Sequence, residues 1–388
     1  MRKNIVLMNI LVGLYWMSVY SYVPNLPNYA AGTLGADAAA LGIIGGVYGV
    51  AQIILRIPIG ILSDRTGKNR LMMLAGSGVL ALSCGILMLA RDTNMLILGR
   101  LVAGAAAAWW VIQSAVYADY FSEAKQIKAQ GMINASSNWG KLVAALAGGV
   151  IAQYFGLQAV FVFALAVAAA CLFLTMPIQD VPKKREPKPV ARTFRELLPL
   201  FKNRDLMVFS VIGNLTNILC FAGPTYFTAV AAENLGATKM DIGMLNLVFY
   251  LLGAVTSMWV GTRTYKKMGG IHAVAVSFAV CGFSCIPFFY HINIAVLYAM
   301  EALAGICFGV TCGALAGMVF RCVPTGQRGT ATGIYQSLYG IGIFVGPVLV
   351  GSIMKAASFD AAYWVLAALG AASALFCWAF IPKKYARM

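Results

Sequence analysis

Acidic side chains are scarce in this chain: 13 of 388 residues are Asp or Glu and two are His, against 29 Lys and Arg. So thin a supply of carboxylates and imidazoles argues against a metal centre or an acid–base catalytic cluster. The two histidines, His272 and His291, stand at opposite ends of one apolar segment, with no carboxylate or cysteine partner at metal-ligand spacing. A Gly-x-x-x-x-Gly-Lys-[Ser/Thr] loop is missing, which argues against nucleotide drive. The nine cysteines lie in or at the ends of apolar runs, so no disulfide framework is expected. No enzymatic activity, cofactor or nucleic-acid partner is expected.

Charged residues of both signs make up only 11% of the chain, hydrophobic ones 61%, and the mean hydropathy is +0.80. No soluble domain carries such a surface, so the chain is expected in a lipid bilayer. One crossing needs about 20 apolar residues. Runs of that length predict an all-α integral membrane fold of twelve transmembrane helices, near 5–27, 38–62, 71–90, 94–119, 131–154, 157–178, 206–232, 240–262, 270–290, 293–320, 330–356 and 360–381. The apolar run after Met1-Arg2-Lys3 is too long for a cleaved leader and is expected as the first helix.

The net charge of +16 reports topology rather than a polyanionic partner. Twenty-three of the basic residues fall at chain ends or at every second connection, whereas the alternate connections hold only Arg91, Lys239 and Lys355. By the positive-inside rule both termini face the cytoplasm, in a multi-pass protein of the plasma membrane, the bacterial inner membrane.

An internal repeat runs at an offset of about 201. Asn234-Leu235-Gly236 answers Thr33-Leu34-Gly35, Gly243 answers Gly42, Gly261 answers Gly60, and Leu303-Ala304-Gly305 answers Val102-Ala103-Gly104. After a one-residue slip, Gly333, Gly342 and Gly351 answer Gly131, Gly140 and Gly149. The chain therefore divides into an N-terminal six-helix bundle (1–178), a cytoplasmic linker (179–205) and a C-terminal six-helix bundle (206–388). A short amphipathic helix is expected at 193–202. Two such bundles are the architecture of alternating-access carriers, with the ligand site between them.

The charged turn from Gly60 to Arg70 carries a family resemblance. Gly60, Asp64, Arg65, Gly67 and Lys68 fit Gly-x-x-x-Asp-Arg-x-Gly-[Arg/Lys]-[Arg/Lys], with Asn69 off the pattern and Arg70 just after it. With Leu98-Gly99-Arg100-x-x-x-Gly104, the chain resembles the major facilitator superfamily over essentially its whole length, in the manner of its drug and small-molecule proton antiporters. The exporter signature of the fifth helix is half present: Gly140, Gly148 and Gly149 stand, while Ala144 and Ala145 replace Gly-Pro. The eleventh helix keeps Gly342, Gly346, Pro347 and Gly351, and Tyr265 replaces the acid of the second-half loop. The resemblance implies a charge latch at Gly60, Asp64, Arg65, Gly67, Lys68 and Arg70; the plainer reading of those residues is a solvated turn that fixes topology. Gly60 is expected to meet a neighbouring helix closely.

Ionisable residues within a span are expensive and are functional candidates. Arg56 lies about 9 Å from the end of its helix, within snorkelling reach, and Lys141 about 15 Å deep. Arg100 and Glu301 occupy equivalent positions in the two halves, one offset apart. They pair directly or hold opposite ends of a zwitterion, and Glu301 is the expected proton-coupling residue. Its plainer reading is a static buried ion pair. On the fifth helix Asn134, Asn138 and Lys141 share one face. Tyr15, Tyr22, Gln52, Gln113, Asn214, Asn217, Gln336 and Tyr339 complete the expected polar and aromatic cavity, with Trp109, Trp110, Tyr250 and Tyr335 as further aromatics. Each alone reads equally as an interhelical hydrogen bond or packing residue.

The function expected is proton-coupled efflux of a small organic solute by a monomer, whose partners are substrate, protons and bilayer. The alternatives are uptake of an organic anion or zwitterion and, less favoured, a non-transporting receptor or scaffold.

Overall fold

The structure, a computed structural model, describes residues 2–121, 126–178, 199–260, 269–324 and 328–382, except the side chains of Arg2, Asp64, Arg65 and residues 126–128 and 328–330. The described residues are helices and turns without a strand, as an apolar chain in lipid requires, because each helix satisfies its own backbone groups. Among the described residues nine helices are long and apolar enough to span a membrane by length and composition, and Gly270–Ser284 is a shorter apolar one.

In chain order the segments are α1 (Arg2–Tyr20, resuming as Leu26–Leu34), α2 (Ala38–Thr66), α3 (Asn69–Leu89), α4 (Thr93–Ala108, then Trp110–Asp119), α5 (Gln126–Phe155) and α6 (Leu157–Thr175). They continue as α7 (Arg204–Ala222, a π-turn Gly223–Phe227, then Thr228–Asn234), α8 (Lys239–Trp259), α9 (Gly270–Ser284), α10 (Ile294–Arg321), α11 (Arg328–Ala356) and α12 (Phe359–Phe380). Twelve segments match the expected number, with differences that proline explains. The first segment breaks at Ser21–Asn25, beside Pro24, and runs on to Leu34 rather than ending at residue 27. The ninth stops at Ser284, and Pro287 opens a separate 3₁₀ turn through His291. Residues 179–198 of the expected linker, with the first part of its short helix, and the second-half loop at 261–268 lie outside the described residues, while 199–201 are helical.

Alternating helix directions put the connections at 35–37, 90–92, 235–238, 292–293 and 357–358 on one face, called here the far face. The Gly67–Lys68 turn lies on the other, the basic face. Four of the helices that start on the far face are capped by a single side chain: Asp37 accepts from Ala40 N–H, Asp92 from Met95, Asn293 from Val296 and Ser358 from Ala361, whereas α6 follows Gly156 without a side-chain cap. Thr238 and Asp241 cap each other reciprocally. These caps satisfy the first orphan N–H groups of helices that enter lipid.

The repeat is visible in the packing. A Cβ on Gly104 would collide with the Tyr48 carbonyl, and one on Gly305 with the Phe249 carbonyl, its equivalent one offset away. Two seams join the six-helix sets, α2 against α11 and α5 against α8. At the first, Gly42 meets Pro347 and Val348; at the second, Gly243 meets Ala145 and Gly149. These are small residues where backbones touch. Asn28 donates to the Ala229 carbonyl at 3.2 Å, a contact between residues 201 apart. Equivalent positions touch only on the pseudo-twofold axis, so the axis passes there.

The far face is shut across both seams. Lys355 pairs with Asp37 at 2.8 Å between α11 and the start of α2, and Lys239 N–H donates to Gln153 of α5 at 3.1 Å.

Candidate functional site

The two charges that the repeat places at equivalent sites do not touch. Arg100 is 4% exposed. Its Nε donates to the Ile44 carbonyl at 3.3 Å, and its guanidinium lies over the Tyr48 ring at 4.5 Å and the Tyr22 ring at 6.0 Å. Its Nη1 has no partner among the described residues. Glu301 is 1% exposed, and neither carboxyl oxygen is hydrogen-bonded there. The direct pair that the sequence allowed is therefore not formed in this arrangement.

What the two sites share is a neighbouring break. Tyr22 lies in the Ser21–Asn25 interruption of α1, and one offset later α7 passes through its π-turn at Gly223–Phe227. Thr228, which ends that turn, faces Glu301 while donating to the Gly223 carbonyl at 3.2 Å. Both buried charges thus lie beside interrupted helices, where backbone groups are freed to line a site. A constricted cavity between the bundles is walled by Tyr20, Tyr48, Arg100, Thr225, Tyr226 and Pro347.

Lys141 is half-buried on α5 and points among rings. Its ammonium lies 4.9 Å from the centroid of Trp16, 5.1 Å from Tyr20 and 6.0 Å from Tyr250, the last contributed by the other bundle. Tyr20 and Tyr250 meet edge-on at 5.6 Å, and Trp16 leans on Trp110.

Arg56 does not snorkel. It is 3% exposed and crosses the α2–α11 seam, where its Nη1 donates to the Gln336 carbonyl at 2.7 Å and its Nη2 to Gln52 Oε1, with the Tyr339 ring 5.2 Å away. Three expected cavity residues, Gln52, Gln336 and Tyr339, are therefore gathered around an arginine that sequence depth left ambiguous.

The other expected residues are placed elsewhere. The Tyr15 hydroxyl donates to the Ala106 and Gly76 carbonyls inside the first bundle. Asn214 accepts from Gly342 N–H at 2.7 Å and ties α7 to α11, while Asn217 bonds back to Gly213. Gln113 is buried, and its carbonyl oxygen has no partner among the described residues. Asn134 is exposed and Asn138 half-buried, on the basic-face side of Lys141. Trp109 donates to the Met72 carbonyl, and Tyr335 packs on Gly213 and Tyr339.

In the charged turn, Gly67 ends α2 at φ 62°, a left-handed position that favours glycine, and donates to Ser63. Lys68 and Arg70 are exposed. The side chains of Asp64 and Arg65 lie outside the described residues. Gly60 differs from expectation: the nearest atom to a Cβ there is Val111 Cγ1 at 3.4 Å, an ordinary contact. The tight backbone approaches occur instead on the far-face half of α2.

Sequence reasoning missed Tyr48, Tyr20, Trp16, Tyr226 and Thr228 as site residues. A signal was present for some of them, since Trp16 and Tyr20 are four apart and share a helix face. It also gave His291 no carboxylate partner; the structure sets His291 Nε2 2.7 Å from Asp360 on the exposed far face, a pairing across 69 residues that spacing does not reveal. None of the described cysteines forms a disulfide with another. Among the described residues no three His, Cys, Asp or Glu side chains gather as a metal centre would need.

Comparison with known proteins agrees with this geometry. The profile of the Major Facilitator Superfamily matches residues 8–339 and 221–387. The chain is 25% identical over 351 residues to the inner membrane transport protein YajR of Escherichia coli, covering 87% of this chain and 74% of that one. It is 22% identical over 371 residues to the multidrug efflux pump LfrA of Mycolicibacterium smegmatis, covering 80% and 72%. Among solved structures, the crystal structure of the nucleoside transporter NupG superposes with a TM-score of 0.77 at 14% identity, over 97% of this chain and 98% of that one. At that identity the likeness is one of fold.

Proposed function

The chain belongs to the major facilitator superfamily, a family of multi-pass membrane transporters of small molecules. From that premise we propose that it is a monomeric secondary carrier that exports a small organic solute by alternating access, with Glu301 as the residue that exchanges protons. The setting is the plasma membrane of a bacterium, with both termini in the cytoplasm and the basic face inward. Efflux is supported by the similarity to a multidrug efflux pump, and the inward basic face by the positive-inside rule.

One observation carries the coupling role. Glu301 is buried among second-bundle residues, with neither oxygen in a hydrogen bond among the described residues, and it faces Thr228 beside the interruption of α7. A carboxylate left so would bear a desolvation penalty of several kcal/mol. This arrangement, closed at the far face, therefore suits the protonated acid, and an arrangement that wets or pairs Glu301 suits the carboxylate. Such a residue links a proton to the change of access, because its two protonation states favour different conformers.

The proposed test is transport in proteoliposomes. Glu301→Gln should retain substrate counterflow, which needs only alternating access, and lose accumulation driven by a proton gradient. Undiminished proton-driven transport by that variant removes the assigned role. Absence of saturable counterflow in the parent removes the carrier reading itself and favours a receptor or scaffold.

A second reading rests on Arg100. Its buried guanidinium keeps one nitrogen without a partner among the described residues beside the cavity, which suits an organic anion or zwitterion taken up with protons. Under that reading Arg100→Gln abolishes counterflow of carboxylate substrates and spares that of amines.

A further inference from the structure

Lys141 has an unusual set of neighbours for an ammonium. A lysine inside a membrane protein ordinarily pairs with an acid or reaches for the interface. Here the contacts are ring faces: Trp16, Tyr20 and Tyr250 at 4.9, 5.1 and 6.0 Å. No ion pair or hydrogen bond of Lys141 accompanies them among the described residues. Three rings around one cation form the geometry with which proteins bind quaternary ammonium groups.

Two further features make this box look built for something larger than a lysine tip. Trp16 Nε1 and the Tyr250 hydroxyl are buried and unpartnered among the described residues, so hydrogen-bonding groups at the rim are left for a ligand to satisfy. The box also spans the bundle interface, with Trp16, Tyr20 and Lys141 from the first half and Tyr250 from the second. On the basic-face side, half-buried Asn138 and exposed Asn134 continue the same face of α5 and mark a polar approach.

We propose that the Trp16–Tyr20–Tyr250 box is a binding site for the ammonium group of an organic cation that also carries a hydrogen-bonding substituent, and that the Lys141 ammonium occupies this site when substrate is absent. The two cations exclude each other, since like charges cannot share one set of ring faces. Lys141 is then a tethered competitor: it weakens cation binding and releases the box when its side chain swings toward Asn138. The assignment deepens the carrier reading by naming a substrate class. It also differs from the organic anion or zwitterion of the second reading, which rests on Arg100.

The test measures binding rather than transport. Choline and its uncharged carbon isostere 3,3-dimethylbutan-1-ol are titrated calorimetrically into the purified full chain in detergent micelles. Lys141→Gln should bind choline about tenfold more tightly than the parent, the order expected when about 1.4 kcal/mol of competition is removed. Lys141→Arg should bind it no better than the parent, and the isostere should gain nothing in any variant. Adding Trp16→Leu to Lys141→Gln should abolish the gain. Lys141→Met serves as the neutral variant if the glutamine form is not monodisperse. Equal choline affinity in parent and neutral variants, no choline binding to the neutral variants, or an equal gain for the isostere overturns the proposal. Because no step here requires transport, its failure leaves the carrier reading standing. Conversely, a parent without counterflow but with this binding pattern sinks the carrier reading alone.

Discussion

Gly243→Ala should open the far face without unfolding the protein. A Cβ at that position would stand 2.6 Å from the Ala145 carbonyl oxygen and 2.9 Å from Gly149 Cα, where ordinary contact begins at 3.4 Å. Both obstacles are backbone, so α5 and α8 must separate by several tenths of an ångström. Overpacking of this kind costs about 1–3 kcal/mol. A conformer in which the two helices have already parted at this face does not bear that cost, so its population should rise by about 5- to 150-fold. The readout is disulfide cross-linking between Gln153→Cys and Lys239→Cys, which replace residues that touch across the seam. Linked peptides are quantified by mass spectrometry over time. The alanine variant should link more slowly than its glycine parent, and Gly42→Ala should act similarly, because it blocks the equivalent α2–α11 seam against the Pro347 carbonyl at 2.5 Å. Gly104→Ala is the control: its clash with Tyr48 lies inside one bundle, so it should lower the melting temperature and leave the linking rate alone. An unchanged rate in Gly243→Ala, or a slowed rate in Gly104→Ala, refutes the division into gating and structural glycines.

Three other outcomes are expected. Arg56→Ala removes the link to Gln336 and leaves Gln52 unsatisfied, at about 1–3 kcal/mol; a thiol probe at Asn138→Cys should react several-fold faster, and Arg56→Lys should restore part of the protection. The hydrogen bond from Lys355, and then that from Ala40 N–H, hold the Asp37 carboxyl below the ordinary carboxylate range. A lowered value means that the far-face clasp is intact at neutral pH and is lost as pH falls through that lowered value. Asp37→Asn should therefore show at pH 7 the slow Gln153–Lys239 linking that the parent shows only in acid. Asp64→Asn should shift the balance of inward and outward conformers, read by spin-label distances across the basic face, and an unchanged balance reduces that turn to a topology signal.

The sequence by itself determined how far along each helix a residue lies and which residue of the other half is its equivalent. Apolar run length fixes the spans, since the bilayer thickness is constant, and the 201-residue offset paired Gly42 with Gly243 and Arg100 with Glu301 before any contact was known. Proline positions in the sequence also mark the α1 break at Pro24 and the end of α9 before Pro287. The direction in which each side chain points was decided only by the tertiary structure. Lipid is as apolar as the interior of a bundle, so a span carries little amphipathic signal to mark its inner face. Helix rotation is set by which backbones can approach, and that depends on partners far away in the chain. Hence Tyr15, expected in the cavity, ties one bundle to itself, while Arg56, which depth left ambiguous, bridges both. For the same reason Arg100 and Glu301 keep equivalent positions without touching, and Lys141 meets three aromatic rings instead of an acid.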